Sequence, residues 1–140
     1  MDFHPRCAIV TGSDSGIGKA SAVALAAAGM DVGVTWLDDE QGAQATADEV
    51  RSHGRQAVVA RLDTTRLEEC GQIVDRMADE LGGLDVFVGN AGTGDNAPIL
   101  ELSLDQWRHT MATNLDGAFV CMQHAARRMV VRGAAAGSSR

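Results

Sequence analysis

The chain has 140 residues, with 12 basic against 19 acidic side chains and a formal net charge of −7. That length suits one domain with a real core, and a hydrophobic fraction of 45% beside 22% charged residues excludes wholesale disorder. An acidic balance argues against nucleic acid or an anionic membrane as partner, and no apolar run nears the roughly 20 residues that span a bilayer. Met1-Asp2-Phe3-His4-Pro5-Arg6 lacks a signal-peptide layout, so a cytoplasmic protein is expected. Cys7, Cys70 and Cys121 are odd in number and far apart in sequence, and read as small core residues rather than a disulfide framework. His4, His53, His109 and His124 have no metal-ligand spacing, so no metal site is expected. Tyrosine is absent and Lys19 is the single lysine, which excludes any mechanism needing a phenol from this chain.

Short apolar runs alternate with longer periodic segments, the pattern of βαβ units around a parallel sheet. Residues 7–11 (CAIVT) predict a first strand, followed by a glycine turn at 12–18 and an alanine-rich helix over 17–28 that stops at Gly29. Residues 31–36 predict a second strand. Asp38, Asp39 and Glu40 then supply the acidic start of a helix running to about His53, and residues 56–62 a third strand. Thr65 and Glu68 have the spacing of a capping box, and the helix they open carries Leu67, Cys70, Val74, Met77 and Leu81 as an apolar stripe. Gly82-Gly83 ends it, and residues 84–88 (LDVFV) predict a fourth strand. A loop over 90–101 leads to a second capping box, Ser103 to Gln106. The helix beyond it runs to about Val131, with a break near Asn114 and Leu115, Phe119, Met122, Ala126 and Met129 on one side. Residues 133–140 are small and polar and read as a loop or tail.

The segment Thr11-Gly12-Ser13-Asp14-Ser15-Gly16-Ile17-Gly18 lies between a predicted strand and a predicted helix. A diphosphate is well held by unpaired backbone amides at the positive end of a helix, provided no side chain blocks its approach. Glycine at 12, 16 and 18 suits that task, and the βαβ setting distinguishes it from an isolated glycine-rich string. The plain alternative is a tight strand-to-helix turn without a ligand.

The order Gly-x3-Gly-x-Gly after Thr11 resembles the fingerprint of the short-chain dehydrogenase/reductase family. Asp63 at the end of strand three, Asn90-Ala91-Gly92 after strand four and Asn114-Leu115-Asp116-Gly117 are similar to three further motifs of that family, in the same order. Gly89 stands where relatives usually carry another asparagine. The resemblance implies an α/β fold: a Rossmann-like doubly wound parallel sheet in strand order 3-2-1-4, truncated after strand four. Residues 1–132 would form a dinucleotide-binding half-domain, and the tail at 133–140 would stand where strand five begins in relatives.

It also implies an NAD(P)-dependent oxidoreductase that moves a hydride between nicotinamide and a carbonyl or alcohol carbon. Gly12, Ser13, Ser15, Gly16, Ile17 and Gly18 would hold the diphosphate. Asp63 would accept from the adenine amino group, although an N-cap or turn role is its plain alternative. Asn90 would hold neighbouring strands together and, with Ala91, place Gly92 beside the nicotinamide ribose, a strand-end turn being Asn90's plain role. Asn114 would support the proton relay, while an asparagine between helical stretches is otherwise a local cap or kink. Lys19 reads as a surface charge. Trp36 and Leu37, at the end of strand two, do not decide between NAD and NADP. Asp38, 20 residues beyond Gly18, favours the free ribose hydroxyls of NAD.

The family's tyrosine and lysine, four apart on a later helix, have no counterpart here, so the chain alone is expected to be inactive. Its substrate, a small carbonyl or alcohol compound, would require completion by a C-terminal half. Family members are dimers or tetramers built partly on the helix matching 115–131, so a homo-oligomer is compatible and the oligomeric state stays open. The competing reading is a non-catalytic module that binds a nucleotide, or a partner through the open edge of strand four.

Overall fold

The computed structural model describes residues 2–138, with side chains described over 2–133. Its element order is β1 (Cys7–Val10), α1 (Gly16–Ala27), β2 (Asp31–Trp36), α2 (Glu40–Ser52), β3 (Ala57–Arg61), α3 (Leu67–Leu81), β4 (Val86–Val88), α4 (Leu104–Met111) and α5 (Gly117–Ser138). The strands form a parallel sheet in the order β3-β2-β1-β4, the Rossmann-like order expected from the sequence. The chain steps outward from β1 through β2 to β3, then returns to the other side of β1 for β4. That reversal opens a crevice beyond the carboxyl ends of β1 and β4.

Alternation along β1 builds two cores. Ile9 and Cys7 face α3 and α5 with Cys70, Val74, Met77, Leu81, Leu84, Cys121 and Ala125. Val10 faces α1 and α2 with Ala22, Ala26, Val32, Val34, Ala43 and Val50. The alanines on α1 and α2 let these helices sit close to the sheet, and all of β1 is buried. Gly33 on β2 makes room for the other layer: a Cβ there would stand 2.7 Å from Met77 Cε and 3.0 Å from Ile9 Cγ1. All three cysteines are buried and free, as the composition suggests. Cys70 and Cys121 nevertheless meet across the α3–α5 seam, where their mutual hydrogen bond and then burial push the Cys121 thiol up. Among the described residues, no helix is long and apolar enough to cross a membrane.

Several local expectations change. Thr65 does not cap α3: its hydroxyl and amide both donate to Asp63 Oδ1, at 2.6 and 3.0 Å, and the helix starts after Arg66. The nearer carboxylate captures the threonine before the helix can use it. The second capping box is present, with Gln106 N–H donating to Ser103 Oγ at 3.1 Å and Ser103 N–H to Gln106 Oε1 at 2.9 Å. The break near Asn114 is a π-helical turn over Ala112–Asp116 rather than a stop. On α5 the packed seam is Cys121 and Ala125, with Met129 against it, while Phe119 and Met122, and Leu115 in the π-helical turn, are exposed, so much of the apolar stripe read from sequence points outward. The helix also runs through Ser138, where a loop was expected from Gly133. Three consecutive alanines at 134–136 have the highest helix propensity and carry the turn past the glycine. Residues 139–140 of the expected tail, and Met1, lie outside the described residues.

Met77 is fully buried between Ile9, Gly33 and the α3 stripe. Replacing it in Met77→Ala leaves a cavity beneath the sheet, and a loss of about 2–5 kcal/mol is expected. Urea denaturation followed by circular dichroism measures it, and an unchanged midpoint would contradict this packing.

Candidate functional site at the switch point of the sheet

The turn after β1 is held from beneath by buried hydroxyls. Ser13 is fully buried; its Oγ donates to Val10 O at 2.7 Å and accepts from Thr35 N–H at 3.1 Å. Thr35 Oγ1 accepts from Gly12 N–H at 2.9 Å, and Thr35 O accepts from Ser13 N–H at 3.0 Å. Thr46, on α2, donates to Ser13 O at 2.8 Å. Ser13 therefore shapes the turn and has neither its hydroxyl nor its amide free for a ligand, which corrects its expected contact role.

The same turn is tied to the loop after β4. Thr11 Oγ1 accepts from the amides of Asn90 and Ala91, each at 3.0 Å, and Asn90 Nδ2 donates to Gly12 O at 3.0 Å. Asn90 thus locks the two neighbouring loops together, as its strand-bridging role requires. Gly18 packs under this junction. A Cβ there would collide with the Gly12 carbonyl and Asn90 Nδ2, so close approach of α1 to its own turn is what demands glycine. Gly16 answers a different need, with φ at +57° and open space where a Cβ would be.

With the turn anchored through Gly12 and Ser13, the next amides are left over. Among the described residues none accepts a hydrogen bond from the main-chain N–H groups of Asp14, Ser15, Gly16, Ile17 or Gly18; the first helical bond is Lys19 N–H to Ser15 O. Ser15 opens α1 without a side-chain cap. These N–H groups and the positive end of α1 form a set of unspent donors. Ile17 stands 80% exposed.

Asp14 and Ser15, which begin this run, line a cleft of about 530 Å³ at the carboxyl ends of all four strands. Its walls include Gly12, Asp14 and Ser15 after β1, Leu37, Asp38 and Asp39 after β2, Leu62 and Asp63 after β3, and Asn90, Ala91 and Gly92 after β4. Sequence-predicted residues from three of the four motifs, with Asp38, thus share one cavity, whereas Ser13, Gly16, Ile17, Gly18 and Asn114 are not among its walls. Asp39 caps α2, accepting from Gly42 N–H at 2.9 Å. Asp63 is held by Thr65, whose hydroxyl and then amide, with Arg61 and Arg66 nearby, keep its carboxyl below the usual range. The turn role of Asp63 and its place on the cleft wall coexist. Lys19 is paired to Glu49 at 3.2 Å, in keeping with a surface charge.

Asn114 sits in the π-helical turn and pairs reciprocally with Thr93, donating from Nδ2 to Thr93 O at 2.7 Å and accepting at Oδ1 from Thr93 N–H at 2.8 Å. It fixes the loop after Gly92, and a Cβ on Gly92 would stand 3.1 Å from its Oδ1. Thr113, next to it, was not anticipated. The residue is among those lining the cleft, and its Oγ1 is buried without a hydrogen-bond partner among the described residues. An orphaned buried hydroxyl together with free amides suits a polar ligand that brings both acceptors and donors. Adjacency to Asn114 was the only signal for Thr113 in the sequence. Leu37, Thr64, Thr93 and His109 join the lining only through the fold.

A doubly wound parallel sheet with a glycine turn at its switch point places this chain among the Rossmann-like proteins. The family model for short chain dehydrogenases matches residues 6–138, and the chain belongs to that family. It is 48% identical over 128 residues to "Uncharacterized oxidoreductase YohF" of Escherichia coli, an alignment covering 91% of this chain and 51% of that protein. The crystal structure of acetoin dehydrogenase from Enterobacter cloacae superposes with a TM-score of 0.87 at 46% identity, covering 94% of this chain and 52% of that one. A short chain dehydrogenase from Burkholderia cenocepacia, solved in complex with NADP, gives a TM-score of 0.86 at 36% identity, covering 89% of this chain and 51% of the other. The chain spans about half the length of the relatives it matches.

Two outcomes follow from this geometry. Gly18→Ala drives a methyl group into the Gly12 carbonyl, and a stability loss of about 1–3 kcal/mol is expected by chemical denaturation. Asp63 titrates below its unfolded value, so its contribution is complete above pH 3.8 and is lost as the pH falls through the lower folded value. In Asp63→Asn that acid-dependent part should vanish, which stability measured at stepped pH would reveal.

Proposed function

We propose that this chain is the dinucleotide-binding part of an NAD(P)-dependent oxidoreductase acting on a small carbonyl or alcohol compound. The observation that carries this reading is the run of unspent amides at residues 14–18, which begins at Asp14 and Ser15 in the wall of a cleft shared with Asp63 and with Asn90, Ala91 and Gly92. The amides would bind the diphosphate, with Gly16 keeping their approach open. Asp63 would meet polar atoms of the adenosine half, and Asn90, Ala91 and Gly92 would border the nicotinamide ribose. When bound, the nicotinamide supplies a two-electron hydride donor or acceptor. Likeness to a protein named acetoin dehydrogenase supports a small hydroxyketone as one substrate to try.

Asn114 would hold the loop beside the reacting end and serve the proton relay from its place in the π-helical turn. The relay's proton donor is another matter. No tyrosine occurs among the 140 residues, and Lys19, the only lysine, is engaged with Glu49. We therefore assign binding to this chain and proton transfer to a tyrosine- and lysine-bearing segment outside it. Residues 1–132 would form the dinucleotide-binding half-domain, in a cytoplasmic protein.

Titrating the chain with NADH or NADPH should produce a saturable change in the fluorescence of Trp36, which ends β2 close to the cleft. Incubation with either reduced dinucleotide and acetoin or other small carbonyl compounds should give no steady oxidation. Absence of binding up to millimolar dinucleotide would sink the proposal, and sustained turnover would refute the division between binding and proton transfer.

A further inference from the structure

We propose that His109 supplies the side-chain positive charge that meets the bound dinucleotide, and so makes binding in this cleft pH-dependent; this rests on the dinucleotide reading above. Among the described residues lining the cleft, Asp14, Asp38, Asp39 and Asp63 are the acids, and His109 is the only side chain that can carry a positive charge. Neither lysine nor arginine stands in that wall. His109 is exposed, and its imidazole has no hydrogen-bond or ion-pair partner among the described residues. His124, by contrast, is spent on Asp75 at 2.9 Å, and His4 and His53 are not among the cleft walls.

The fold brings His109 to this place. α4 starts at the Ser103–Gln106 capping box and continues through the π-helical turn into α5, so His109 stands four residues ahead of Thr113 on one helix face. Both residues line the cleft. A Cβ on Gly117 would collide with the Thr64 carbonyl, so glycine there lets this helical unit press against the loop that follows β3. The charged groups presented by the strand ends are Asp14 after β1, Asp38 and Asp39 after β2, and Asp63 after β3. Those of α4 itself are Asp105, one turn earlier, and Arg108. The loop after β4 adds no titratable group to the wall, and Arg66, beyond Asp63, is paired with Glu69 at 3.4 Å. Histidine side chains change charge between about pH 5 and 8. An anion in the cleft favours the imidazolium, so binding takes up a proton and affinity falls as the pH rises through that range.

Isothermal titration of the chain with NAD⁺ tests this without any turnover, because the diphosphate of NAD⁺ keeps its charge across the range. The unsubstituted chain should bind about three- to fivefold more tightly at about pH 6 than at about pH 8, the scale of one exposed charge interaction. Titrations in buffers of different ionisation enthalpy should show proton uptake at about pH 7, which a merely structural residue would not give. His109→Gln should bind with the weaker affinity at every pH and take up no proton. His109→Arg should keep the tighter affinity at both pH values, and it carries the test should His109→Gln fail to fold. A pH response that survives either substitution, or its absence from the unsubstituted chain, would overturn the assignment and leave the dinucleotide reading standing. Failure of the unsubstituted chain to bind NAD⁺ at any pH would defeat that reading itself, and His109's role with it.

Discussion

The site depends on a small scaffold of buried hydroxyl groups beneath the first turn. Ser13 and Thr35 exchange hydrogen bonds across the ends of β1 and β2, Thr46 reaches in from α2, and Thr11 gathers the amides of Asn90 and Ala91. Each is a polar group whose desolvation is offset only by a partner, so the set is stable complete and costly if broken. What it accomplishes is selective. Gly12 and Ser13 are satisfied internally, and the five amides after them are not. A turn that sagged inward would satisfy those amides itself, and a looser one would scatter them. The buried hydroxyls hold it between these outcomes.

The sheet makes that scaffold rigid. β1 is buried on both faces and flanked by two cores, so the strand that delivers the turn cannot shift without disturbing both. Gly33 thins β2 to admit Met77, and Gly18 thins α1 to admit the Gly12 carbonyl and Asn90. Absence of a Cβ thus serves packing at one place and loop closure at the other. The π-helical turn at Ala112–Asp116 completes the arrangement by carrying Asn114 to the Thr93 backbone. A regular helix from α4 into α5 would rotate that side chain away by the extra residue.

Much of this could be read from the residues themselves. Strand order, the glycine turn and the junction through Asn90 all follow from motifs in which sequence spacing and backbone geometry are tightly coupled. What escaped was decided by competition between neighbours. Thr65 has a capping position, yet Asp63 two residues earlier takes its hydroxyl. Ser13 sits inside the glycine turn that resembles the family's fingerprint, yet it faces inward because β2 presents Thr35 to it. The apolar residues of α5 can be assembled into two stripes, and only α3 selects the one with Cys121 and Ala125. Arg61 is unremarkable in sequence. Its pairing with Trp36 exists only because β2 and β3 are in that register.

The cleft poses an electrostatic problem that this arrangement answers. The chain carries a net charge of −7, and Asp14, Asp38, Asp39 and Asp63 all line the cavity proposed to take an anionic dinucleotide. Long-range attraction cannot account for binding there. At physiological ionic strength, however, exposed charges are screened beyond about 8 Å, so the distant acids weigh little and short-range donors decide. Two of the four nearby carboxylates are already spent, Asp39 on Gly42 and Asp63 on Thr65, and a carboxylate accepting such hydrogen bonds presents less unmet charge to a ligand. Against the remaining two stand the five unspent amides and the positive end of α1. An acidic surface and a bound anion are compatible on those terms, because the donors are unspent and two of the four acids are occupied.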